Sequence, residues 1–210
     1  MQATTAGSYR VLGDAPDRDG LLLLDRADHE PVLVAADGYA GSLADAVAAL
    51  RPGYLVDATL AWDDGDARFT EVDVTKRTLL TFSRGVTGLF EAALETMEQA
   101  HREGLGVTGR PTFSTDNEPN GAVYAFAQQP GERDVFEEVR TGALPIEPLV
   151  DRLDEAADDG DAAHEVFVFD PLEHDFVVVY LVLHRDSVLA DTVRDTYDCP
   201  RPAEADPGDD

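Results

Sequence analysis

The sequence predicts an α+β protein: an OB-like small β-barrel at the N-terminus, followed by a mixed α+β domain. Three observations predict it. Short extended runs separated by Asp-Gly and Pro-Gly turns fill the first 82 residues, with one helical segment among them. Their order is three strands, a helix, then two strands, which is the element order of a five-stranded OB barrel. Beyond residue 85 strands and amphipathic helices mix without a regular βαβ repeat. The expected division is 1–84 for the OB-like barrel, 85–199 for the α+β domain and 200–210 for a disordered tail of Pro, Gly and acid.

Ser8–Leu12 starts the extended part. Leu21–Asp25 is an apolar run between Asp-Gly and a charged turn, and Pro31–Ala36 closes on Asp37-Gly38. Ser42 caps a helix carrying Leu43, Ala46, Val47 and Leu50 at helical spacing, stopped by Pro52-Gly53. Tyr54, Val56, Ala58, Leu60 and Trp62 alternate with smaller or polar residues, as a half-buried strand requires. Asp63 to Asp66 makes a hairpin turn, and Arg68–Val74 returns. Leu89, Phe90, Ala93, Leu94 and Met97 mark a helix ending near Gly104. Gly106–Asn120 reads as a long surface loop, and Ala122–Ala127 as a strand. Short helices follow on Val135, Phe136 and Val139, and on Leu149, Val150 and Leu153. Glu165–Phe169 and Phe176–Leu183 form a hairpin around Pro171, and a last helix carries Val188, Leu189, Val193 and Tyr197.

Charge is the strongest compositional signal. Forty-three Asp and Glu face 16 Lys and Arg, a formal net charge of -27 on 210 residues, and Lys76 is the only lysine. Such self-repulsion destabilises a compact state in dilute buffer. At molar salt the Debye length falls to about 3 Å and screens it. The composition therefore points to a halophilic, salt-accumulating archaeal cytoplasm. The single Cys199 excludes an internal disulfide and a multi-cysteine zinc site. The first residues lack the basic flank and apolar core of a signal peptide. The longest strongly apolar run, Phe176–Leu183, is too short to span a bilayer as a helix. A cytoplasmic protein without membrane contact is expected.

The segments GYLVDATLAW (Gly53–Trp62) and FVVVYLVLHRDSVLADTVRDTYDCP (Phe176–Pro200) resemble those of an uncharacterised (domain of unknown function) protein family of halophilic archaea, and the resemblance covers nearly the whole chain. It implies no catalytic or binding residue, because no activity is established for that family.

Val74–Phe90 is the largest local departure in charge. It holds Lys76, Arg77 and Arg84 and no carboxylate, although acids make up 43 of the 210 residues. One reading is an anion-binding face for nucleic acid or another acidic ligand, with Trp62, Phe69 and Tyr9 as stacking surfaces. The other is a strand and linker buried between two domains, which drops acids because charges are costly to bury; Leu79, Leu80 and Phe82 favour it. Among the histidines, His164, His174 and His184 each neighbour a carboxylate. His174 and His184 sit ten residues apart on one strand, about 33 Å when extended, and cannot share an ion. They read as solvated strand ends, and no metal or cofactor is expected. Asp198 beside Cys199 raises the thiol pKa rather than activating it. Walker A, G-x-G-x-x-G and G-x-S-x-G patterns are absent, and no residue is assigned as catalytic.

Three function classes stay open. The first is a non-enzymatic binding or adaptor module for an anionic ligand such as nucleic acid. The second is a small-molecule enzyme with a carboxylate/His acid–base site at the crevice between the halves. The third is a structural subunit that pairs through a sheet edge. A long uncovered apolar sheet edge would favour the third.

Overall fold

The computed structural model describes residues 3–63, 66–128, 131, 133–156 and 162–202. Among them ten strands form two sheets, and five helices pack against these, so the chain is α+β. No helix of the described residues is long and apolar enough to cross a membrane.

The first sheet comprises β1 (Ala3–Asp14), β2 (Leu21–Asp25), β3 (Pro31–Val34), β4 (Leu55–Asp63) and β5 (Asp66–Lys76), with α1 (Ser42–Ala48) between β3 and β4. The strands close into a ring in the order β1-β2-β3-β5-β4. β1 pairs β4 antiparallel from Ala3↔Trp62 to Arg10↔Leu55, and β3 meets β5 in parallel at Val34↔Ala67. Successive strand residues point to opposite faces. Tyr9, Val11, Leu23, Val56, Ala58, Leu60 and Phe69 therefore fill the interior, plugged by Val47 and Leu50. Ser42 opens α1 rather than capping it. The cap is Gly41, which makes no side-chain bond. Within the expected turn at 63–66, residues 64 and 65 lie outside the described residues.

The second sheet has the order β6-β9-β10-β8-β7. Its strands are β6 (Leu79–Val86), β7 (Val107–Phe113), β8 (Pro119–Ala127), β9 (Glu165–Pro171) and β10 (Phe176–Val182). Only β6 and β9 run parallel; β9 and β10 form the expected hairpin. All seven residues of the central β10 are buried, because both faces of the sheet are covered and a run apolar on both sides results. On one face α2 (Glu91–Glu103) and α5 (Val188–Tyr197) pack through Ala93, Met97, Ala100 and Val193. On the other lie α3 (Val135–Arg140) and α4 (Glu147–Ala156), together with the outward-facing ring residues Leu12 and Leu24.

The loop expected over Gly106–Asn120 is instead the edge strand β7, a turn, and the start of β8. Ser114 forms that turn, its hydroxyl accepting the amides of Asp116 and Glu118. Gly109 and Pro111 disguise the strand. A sheet edge tolerates both, since proline there loses no ladder bond. The expected dividing point at residue 84 falls inside β6. The chain passes from ring to open sheet at residues 77–78. Gly53 marks the crossing: its φ is 98°, and a Cβ would sit 2.5 Å from the amide nitrogen of Leu80. Residues 203–210 of the expected tail lie outside the described residues.

Candidate functional site

Helix α4 carries Glu147, Asp151 and Asp154 at i, i+4 and i+7, which places them along one face. Three cations of the ring side meet them. Arg10 of β1 forks onto Glu147, with Nε to Oε2 at 2.9 Å and Nη2 to Oε1 at 2.6 Å, while its Nη1 donates to the Gly53 carbonyl at 2.8 Å. Arg26 reaches Glu147 at 2.7 Å and Asp151 at 2.8 Å. Lys76 reaches Asp154 at 2.6 Å. Arg10 and Glu147 are buried.

His164, expected as a solvated strand end, is fully buried. Its Nε2 lies 2.7 Å from Asp154 Oδ1 and its Nδ1 lies 2.6 Å from the Leu183 carbonyl. It precedes β9, and that strand's place inside the sheet carries the imidazole under cover. Burial pushes the Asp154 carboxyl up, but hydrogen bonds and charge from Lys76 and His164 outweigh it and hold the group below the usual carboxylate range. A carboxylate so engaged is a poor general base, since its lone pairs are already taken. These pairs lie at the junction between ring and open sheet, where the expected acid–base crevice would fall.

Arg84, on β6, is surrounded by carboxylates of other elements: Asp134 at 2.8 Å, Glu137 at 3.0 Å and Asp170 at 2.7 Å. Its guanidinium lies over the Phe136 ring at 4.3 Å. Burial pushes Asp134 and Glu137 up, yet hydrogen bonds outweigh it and hold both low: from the Glu137 amide and Arg84 at Asp134, and from Arg140 and Arg84 at Glu137. Lys76 and Arg84 thus draw their counter-charges from α4, α3 and β9, so the stretch needs no acid of its own. Arg77 is exposed and stacks over Tyr54 at 5.8 Å. Phe69 is inside the ring, 3% exposed, with its ring centroid 6.0 Å from that of Tyr39. Tyr9 is buried there too. Trp62 is half-buried, and its Nε1 donates to Thr5 Oγ1 at 3.2 Å. Cys199 is buried; burial, aided by Asp198, pushes its thiol up. No group of three or more His, Cys, Asp or Glu among the described residues could hold a metal ion.

An apolar sheet edge lies elsewhere. Among the described residues β7 has one neighbour, β8. Six large apolar side chains of the described residues are exposed, and three of them, Leu105, Val107 and Phe113, belong to β7 and its approach. Along β7 the exposed positions are Val107, Gly109, Pro111 and Phe113, all on one face. Thr108, Arg110 and Thr112 alternate onto the face covered by α2. Beside the exposed row lies a groove of about 500 Å³, walled by Tyr124 and Phe126 of β8 and by Pro145, Pro148 and Leu149 at the start of α4. The Tyr124 ring packs against Gly109, where a Cβ would come within 2.2 Å of it, and Arg152 donates to its hydroxyl at 3.4 Å.

The family model described as Family of unknown function (DUF6663) matches residues 1–202. The chain belongs to that family. Neither a curated protein nor a solved structure matches it. The DUF6663 match spans the ring, the charged junction and the open sheet together.

Sequence reasoning missed Arg10, Arg26, Glu147 and Asp151, and it missed the β7 edge. The acids at i, i+4 and i+7 were a usable signal for the first group. For the second, the signal is a further acid-free run, Gly104–Thr115, whose Gly and Pro make it read as loop.

Proposed function

We propose that this protein is a non-catalytic interaction module that takes a further β-strand along the free edge of β7, with the adjoining groove receiving apolar side chains. One observation carries the reading: a free sheet edge, a one-sided apolar row and a groove coincide on a chain of net charge -27. Monomeric proteins seldom leave such edges open. Main-chain bonds along an edge supply affinity, and alternate side chains in a groove supply specificity. The strand order of the ring, with its helix between β3 and β4, supports an OB-like reading of that half, acting here as a rigid support for α4. The charge supports a halophilic, cytoplasmic setting. An anionic ligand such as nucleic acid is the weaker reading, since of Lys76, Arg77 and Arg84 only Arg77 lacks a carboxylate partner among the described residues.

The test is the size of the native complex. The tagged chain is expressed in its own cell and chromatographed in molar KCl, unmodified and with Phe113→Glu or Val107→Pro. The unmodified chain should elute larger than its 22.7 kDa, and both variants as a single chain. An unmodified protein that elutes as one chain refutes the reading.

A further inference from the structure

The geometry points to a second copy of this chain as the strand that β7 accepts, paired antiparallel about a two-fold axis through Arg110. This inference rests on the edge reading above.

The free hydrogen-bonding groups come first. The amide of Ala127 donates to the Gly106 carbonyl at 2.8 Å, and the register pairs Val107 with Phe126. In an antiparallel ladder bonded and non-bonded positions alternate. Residues 106, 108, 110 and 112 therefore turn their backbone groups to β8, while Val107, Gly109 and Pro111 turn theirs outward; the register shifts after Thr112, and beyond it the Ser114 amide donates to the Glu118 carbonyl at 2.8 Å, which turns Phe113 outward as well. Pro111, with no N–H to offer, occupies one of the outward positions, where β8 loses nothing.

A two-fold axis through Arg110 sets Val107 opposite Phe113 of the second copy and Gly109 opposite its Pro111. Val107 and Phe113 of each copy donate outward and accept in return. Gly109 donates to the carbonyl of the opposing Pro111. The two most exposed apolar side chains of the strand, Val107 at 47% and Phe113 at 51%, cover one another on the same face. The smallest residue of the row meets the rigid proline ring. The second strand also closes the open side of the groove.

Charge permits this register. Arg110 faces its own image across the axis, but each guanidinium carries Glu95 at 2.5 Å, so two ion pairs lie side by side rather than two bare cations. The wider surface opposes association, since two chains of net charge -27 repel until salt screens them. Pairing should therefore tighten as KCl rises.

The test is light scattering on the purified chain across a concentration series in molar KCl. The expected mass is twice 22.7 kDa, falling toward a single chain as salt is lowered within the range that preserves the fold. Phe113→Glu and Val107→Pro should each weaken dimerisation at least about tenfold with unchanged circular dichroism; both sites are about half exposed, and if one variant misfolds the other decides. Hydrogen exchange fixes the register. The amides of Val107, Gly109 and Phe113 should be protected only in the dimer, and those of Thr108, Arg110 and Thr112 in either state. A purified chain that is single at every concentration in molar KCl overturns the inference, as does a dimer that both variants leave intact. If the purified chain is single while its native complex still collapses in the same variants, the edge reading stands and the second copy falls. If the native complex is also unaffected, both fall.

Discussion

Replacing Glu147 by Ala should be among the most damaging single changes in this chain. Its carboxylate is 1% exposed and accepts from two guanidiniums. Arg26 is 27% exposed and keeps Asp151, so water and a second carboxylate compensate it. Arg10 is 3% exposed, and without Glu147 it keeps only the Gly53 carbonyl. Removing one partner of a buried ion pair strands the other charge and costs about 3–5 kcal/mol. For a domain of this size that is a loss of about 6–20 °C in Tm, at about 2–4 °C per kcal/mol. Because the pair is shielded from solvent, molar KCl should not rescue the variant. Denaturant titration followed by circular dichroism in molar KCl measures the cost. The double variant Arg10→Met with Glu147→Leu removes both charges and fills their volume, so it should lie within about 2 kcal/mol of the unmodified protein. The reasoning fails if Glu147→Ala costs less than about 1 kcal/mol, or if the double variant is as unstable as the single one.

Two further outcomes follow from charge. Below a few tenths molar KCl the Debye length grows toward about 10 Å, and the native circular dichroism should be lost cooperatively; a full native signal with a sharp melt in salt-free buffer would contradict this. In acid, the depressed carboxyls of Asp134, Glu137 and Asp154 contribute stability that is present above the unfolded value of about 4 and lost as pH falls through their folded values. The unfolding midpoint in molar KCl should therefore fall steadily below about pH 4, and Arg84→Ala should flatten that fall; an Arg84→Ala profile parallel to the unmodified one would refute the assignment.

Where burial writes a period into the sequence, the fold was legible. Val56, Ala58 and Leu60 alternate because one side of β4 faces the ring interior. β10 is apolar throughout because both of its faces are covered. Gly104, at φ 66°, ends α2 where an αL cap is needed. What was not legible is held by backbone or by distant partners. The first residues of β1 are small and polar, yet they pair along β4 from Ala3 onward; ladder bonds leave no mark on side-chain pattern. β7 hid behind Gly109 and Pro111 for the same reason. Arg10 and Glu147 stand 137 positions apart, and nothing local to either announces the other. His164 beside Glu165 looks like any His in an acidic chain, and only the position of β9 shows that it is buried.

Pro111 bears on whether the edge of β7 is meant to pair. Proline on an edge strand is one of the devices that blunt unwanted pairing, along with charges set into the row. A chain with 43 acids had ample means to add the second device, yet Gly104–Thr115 contains no acid, and its one cation, Arg110, lies off the exposed row and is paired with Glu95. The exposed row is Val107, Gly109, Pro111 and Phe113, uncharged throughout. A lone proline does not close the edge. It deletes one outward donor and leaves those of Val107, Gly109 and Phe113. Its effect is selective: a register that needs a donor at 111 is penalised, and one that sets Pro111 against Gly109 loses least. With the rest of the surface repelling its like, an uncharged row whose proline discriminates among registers fits a strand specified for one partner better than a strand defended against all of them.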